Sequence, residues 1–158
     1  MRRIKPEPIS PERFGPFGDV YPPRQVGEAR LDLMEELQNA RPGARARLSL
    51  IAVAPRSLPL VASQMERHAH STQTFIPVDC SSYLVLVAPH TSEGHPDVSK
   101  LRAFEVPGSV AINYRADTWH FPLSALDRNA RFAVLTFVDG GKEDDQFVPL
   151  SEPVTIDR

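Results

Sequence analysis

Proline constrains this chain more than any other residue: there are 16 copies, spread along its length rather than gathered in one tail. Each fixes φ and withholds a backbone donor, so long helices are disfavoured while short strands joined by turns suffer little. The apolar residues between the prolines form runs of strand length. Leu48, Leu50 and Ala52 alternate with Ser49, Ile51 and Val53, and Tyr83 to Ala88 is continuously apolar. Val110, Ile112 and Tyr114 alternate with Ala111 and Asn113, and Phe132 to Val138 reads as another strand. Turn formers separate these runs: Pro55, Pro59, Pro77, Gly94 with Pro96, Pro107 with Gly108, and Gly140 with Gly141. Short strands punctuated in this way predict a mainly β chain, with a closed and mostly antiparallel barrel over residues 45–150.

Residues 1–44 form a helical and extended segment ahead of the barrel. Within 9–18, Ser10 suits an N-cap, Pro11 the first helical position, and Gly15 limits the length. From Glu28 to Arg41, Leu31, Met34 and Leu37 recur at helical spacing and Pro42 with Gly43 follows, which predicts a second helix. The 158 residues suit one hydrophobic core, and no linker interrupts them, so a single domain over 1–158 is expected.

The net charge of −2 and the small Arg2, Arg3, Lys5 cluster argue against a nucleic-acid partner. Prolines follow that cluster where a signal peptide or membrane span needs an apolar run, so no membrane partner is expected. Cys80 is the only cysteine, which suits a reducing, cytoplasmic location and an unreactive thiol. The acidic, Gly-containing stretch Asp139 to Asp145 lacks calcium-loop spacing and reads as a solvated hairpin turn.

The stretch from Ala62 to His70 is the richest in chemistry. On a strand, Ala62, Gln64, Glu66, His68 and His70 share one face, opposite Val61, Ser63, Met65, Arg67 and Ala69. His68 and His70 would then lie about 7 Å apart and could turn toward a common point, although two solvated histidines are the plainer reading of the pair alone. His120 follows Trp119 after the Pro107–Gly108 turn. A histidine pair and a later third histidine beyond a Pro-Gly turn resemble the two motifs of the cupins, whose fold is a double-stranded β-helix. The carboxylate that usually follows the pair is missing; Gln73 and Thr74 stand there, and Glu66 lies upstream. His68, His70 and His120, with a carboxylate or amide oxygen, are therefore candidate ligands for one divalent ion such as nickel, manganese or zinc.

A more specific resemblance rests on Glu66, Arg67 and His68 followed by Thr72, Gln73, Phe75, Ile76 and Pro77. It continues through Leu84 to Pro89, Leu101 to Phe104, and Asn113, Tyr114, Trp119, His120, Pro122 and Leu123, with Phe14, Gly18, Asp19 and Val20 near the start. These stretches resemble the ureidoglycolate lyases, a family within the cupin superfamily. The chain departs from that family in several places. An Asn-Asn-Gly phrase is not recognisable at 25–33, Arg115 and Phe121 stand where the family has histidine, Gly140 follows Asp139 where it has arginine, and His70 is not a typical family residue.

The resemblance implies a cupin-like barrel, a homodimer, and an amidine-type lyase cleaving ureidoglycolate to glyoxylate and urea in purine (allantoin) catabolism. His68 and His120 suit the proton transfers because imidazole titrates near neutrality, and Glu66 could orient one of them. If a metal is held instead, the histidines are ligands and Glu66 is left as the base. Arg102 could bind a substrate carboxylate or simply form an ion pair. Gln73, Tyr114 and Trp119 are candidates to line the site, though strand aromatics also serve as core. The alternatives are a cupin-type metalloenzyme for another small carboxylic acid and a non-catalytic, small-molecule-binding barrel.

Overall fold

In the computed structural model, which describes residues 1–158, the apolar runs lie within strands, except that Val110 falls just ahead of its strand. In chain order these are β1 (Arg2–Ile4), β2 (Glu7–Pro8), the helix α1 (Pro11–Phe14), β3 (Gly18–Tyr21), β4 (Arg45–Val53), β5 (Leu60–Arg67), β6 (Gln73–Asp79) and β7 (Ser82–Ala88). A 3-10 turn at Val98–Lys100 precedes β8 (Arg102–Pro107), β9 (Ala111–Tyr114), β10 (Trp119–His120), β11 (Ser124–Leu126), β12 (Ala130–Val138) and β13 (Gln146–Ile156).

The ladders form two sheets rather than one closed ring. An eight-stranded sheet runs β1-β13-β5-β10-β7-β8-β2 with β11 beside β7, and a five-stranded sheet runs β3-β9-β6-β12-β4. Pairing is antiparallel except for β1 with β13 and β2 with β8. This is the double-stranded β-helix class, built as two sheets that share a core. The amino-terminal residues are built into it: β1 and β2 complete the edges of the larger sheet, and β3 pairs with β9. Gly18 permits that last pairing, because a Cβ there would strike the carbonyl of Asn113.

Two cores result. Phe14, Phe75, Tyr83, Phe104, Tyr114 and Phe132 belong to one cluster; Met65, Leu84, Leu86, Leu101, Trp119 and Ile156 belong to a second. Strand β7 sends Tyr83, Val85 and Val87 into the first and Leu84, Leu86 and Ala88 into the second. A strand buried on both faces needs no polar alternation, which explains the unbroken apolar run. On β4, by contrast, Ile51 and Val53 pack inward while Leu48 and Leu50 face solvent.

The short α1 forms as expected, with the Ser10 hydroxyl accepting from the Arg13 N–H. The helix expected over 28–41 does not form. That stretch is irregular, and the structure leaves Leu31 and Met34 exposed. An isolated helix of that length depends on burying an apolar stripe, and none is buried here. Its end pairs with another segment instead: the Ala40 N–H donates to the His70 carbonyl, and Gln38 and Thr72 exchange backbone and hydroxyl bonds.

Candidate active site

Strand register gathers the polar residues. His120 on β10 is the cross-strand partner of Glu66 on β5, and Phe147 on β13 is the partner of Glu66 on its other side. One step beyond the Gln146–Arg67 pair, Asp145 faces His68, with Oδ1 2.9 Å from Nδ1. The His68 and His120 rings have centroids 5.2 Å apart. Glu66, His68 and His120 each present a ligand-type atom, all within 4.8 Å of one another. The two imidazoles are buried and Glu66 is the most open, at 15% side-chain exposure.

Each histidine has a defined orientation. His120 Nδ1–H donates to the Thr118 carbonyl at 2.9 Å, which leaves Nε2 directed at Glu66, 3.4 Å from Oε1. That separation exceeds a good hydrogen bond, so Nε2 is a buried nitrogen with no close partner. Tyr114 stacks on the ring at 4.3 Å between centroids. Burial pushes the Tyr114 hydroxyl well above its ordinary pKa, and the Glu66 charge adds to this, so it stays neutral. His68 Nδ1 faces only oxygens, those of the Asp144 carbonyl and the Asp145 carboxylate, and therefore carries its proton. His68 Nε2 lies 3.0 Å from Gln73 Oε1. The Gln73 amide can offer either its oxygen or its nitrogen, so it serves both protonation states of that nitrogen. Burial alone would raise the Glu66 carboxyl, but His120, by hydrogen bond and charge, and His68, by charge, outweigh burial when they are protonated and hold the carboxyl low.

A family model described as ureidoglycolate lyase matches residues 1–157. The chain belongs to the ureidoglycolate lyase family. The ureidoglycolate lyase of Burkholderia mallei is 32% identical, covering 99% of this chain and 96% of the relative. That of Stutzerimonas stutzeri is 30% identical over 93% of this chain and 90% of its own length. Among solved structures, a dTDP sugar isomerase from Desulfovibrio desulfuricans G20 matches with a TM-score of 0.51 at 18% identity, covering 85% of this chain and 83% of that one. That likeness is one of fold.

Of the residues singled out in this family member, Glu66, His68, His120, Gln73 and Tyr114 come together. Three do not. His70 lies past the end of β5 in a turn, so strand alternation no longer governs it, and its Nε2 sits 3.6 Å from Glu143. The ligand cluster is accordingly Glu66, His68 and His120 rather than the three histidines. Arg102 forks onto Glu7 at 2.6 and 2.9 Å and binds the Arg13 carbonyl, fastening the amino-terminal segment to β8. Trp119, adjacent to His120, points to the opposite face of β10, where it lies in the second core and its indole N–H donates toward His90 and the Gly94 carbonyl. The phasing of β5 also breaks upstream: Ala62 and Met65 share one cluster, opposite the register shift between Pro149 and Val154.

Asp145 and the loop before it are additions that the sequence reading missed. The Asp144 carboxylate accepts from the Asp139 and Gly140 N–H groups at 3.0 and 2.8 Å and from Arg41 at 2.8 Å, while Arg41 also reaches Asp139. Burial would raise Asp144, but these N–H donors and the Arg41 guanidinium hold its carboxyl low. A separate surface cavity of about 710 Å³, lined by Arg56, Glu105, Asp127 and Arg158, holds no histidine and none of this machinery.

Proposed function

We propose that this chain cleaves ureidoglycolate to glyoxylate and urea, as an amidine-type carbon–nitrogen lyase, at the Glu66, His68, His120 cluster. Beyond family membership, the supporting observation is the buried His120 Nε2, aimed at Glu66 and without a close partner. The substrate carbon bears a hydroxyl, a carboxylate and the ureido nitrogen. His120 Nε2 accepts the hydroxyl proton, and the O–H electron pair becomes the new carbonyl bond. The C–N bond breaks, and the departing nitrogen keeps the C–N pair and takes the proton held on His120, which returns that imidazole to its starting state beside the His68 ring. The Glu66 carboxylate, held low and so ionised at neutral pH, stabilises the imidazolium formed at His120. Imidazole is suited to both transfers because its pKa lies near neutrality.

The same donors fit a divalent ion such as nickel, manganese or zinc. Glu66, His68 and His120 would hold it in place of the acid–base role, with the Gln73 amide oxygen beside them, and the buried His120 Nε2 has no hydrogen-bond partner. Such an ion, when bound, supplies Lewis acidity toward the substrate hydroxyl. The test of the proposal is to measure glyoxylate and urea from ureidoglycolate, with nickel, manganese and zinc each supplied. Absence of both products under every condition rejects it in favour of a lyase-family barrel acting on another small carboxylic acid.

A homodimer in the cytoplasm completes the reading. The outer face of the five-stranded sheet exposes Leu48, Leu50, Ile76 and Val78, and β4 is its free edge. Large apolar side chains exposed on one sheet face mark an association surface, and a second copy would cover them. Cys80, a free thiol, accords with a reducing compartment.

A further inference from the structure

We infer that the loop from Asp139 to Asp145, clasped by Arg41, is the positioning device for His68. This goes one step beyond the proposed lyase reading and rests on it for its kinetic consequence. Both oxygens that meet His68 Nδ1 come from this one loop: the Asp144 carbonyl at 2.9 Å and the Asp145 carboxylate at 2.9 Å. Neither is a donor, so together they keep the proton on Nδ1 and turn Nε2 toward Gln73 and His120.

The loop itself is held by the Asp144 side chain. Its carboxylate gathers the Asp139 and Gly140 N–H groups on one side and the Arg41 guanidinium on the other. Arg41 also pairs with Asp139 at 3.1 Å and donates to the Phe137 carbonyl, so one largely buried side chain spans both ends of the turn. Arg41 and Asp144 are positioning residues: neither side chain touches His68, and each fixes the backbone that does. Groups behind a functional histidine typically change activity or metal affinity about 10- to 100-fold when removed.

Two variants test this, because each loosens the loop by a different route while leaving the Asp144 backbone carbonyl in the chain: Asp144→Ala and Arg41→Gln. Long-range ¹⁵N–¹H NMR on the histidine side chains reads the His68 tautomer directly, and ureidoglycolate kinetics read turnover. The wild type is expected to show His68 with the proton on Nδ1. Both variants are expected to show mixed tautomers, a kcat lower by about 10- to 100-fold, and a KM within about 2-fold of wild type. His68 remaining in a single Nδ1–H form in both variants overturns the inference, whatever happens to kcat. If the wild type turns over no ureidoglycolate, the lyase reading has failed, and the tautomer spectra alone still decide the positioning role.

Discussion

His120 and Glu66 face one another as cross-strand partners of β10 and β5, with Nε2 and Oε1 3.4 Å apart. The Thr118 carbonyl holds the opposite nitrogen of the ring, so this Nε2 is the atom left for chemistry. His120→Ala is expected to lower kcat for ureidoglycolate by about 100- to 10,000-fold. The far-UV spectrum should be unchanged. A loss below about 10-fold would make His120 a packing residue beneath Tyr114.

Glu66→Gln keeps the shape of the side chain and removes its charge. If the cluster holds a divalent ion, this variant should bind nickel or zinc more weakly than wild type in equilibrium titration, while His70→Ala binds as wild type does. Equal weakening by the two substitutions would mean that the histidine beyond β5 swings in as a ligand, against its placement beside Glu143.

Asp79 offers a pH test remote from the site. Its carboxyl is held below the ordinary value by hydrogen bonds from Arg128 and Arg131 and by their charge, with burial opposing. A carboxyl depressed in the folded state adds stability above its unfolded pKa of about 3.9, and that contribution is lost as pH falls through the folded value. The difference in Tm between wild type and Asp79→Asn should therefore be steady from pH 7 to about 4 and shrink below it. A difference that grows toward acid would contradict the assignment.

Leu50→Arg places a charge at the centre of the exposed face of β4, where Leu50 is 81% exposed. Exposure means that the substitution costs the folded monomer little, within about 0.5 kcal/mol. Sedimentation equilibrium should show the wild type as a dimer and the variant as a monomer at the same concentration. A wild type that is monomeric at high micromolar concentration would remove the homodimer from the proposal.

Local sequence determined what depends on short-range periodicity. The doubly apolar run of β7, the alternation of β4 and β9, the capped turn at Ser10 and the β-rich class all follow from side-chain pattern and proline spacing. The likeness around Glu66 to Pro77 and Asn113 to Leu123 brought His68, His120, Gln73 and Tyr114 forward before any coordinates. Tertiary structure decided the rest, because those features depend on register and termination between distant segments. Strand β5 ends at Arg67, so His70 leaves the face that two-residue periodicity assigns to it. The two-residue strand β10 sends Trp119 and His120 to opposite sides, separating a core residue from a site residue one position away. The helical spacing from Leu31 to Leu37 found no surface to bury against, and helical pattern without burial does not hold a helix. Asp145 meets His68 only because the pairing of β13 with β5 brings residues 77 positions apart into register, and nothing local to either residue encodes that meeting.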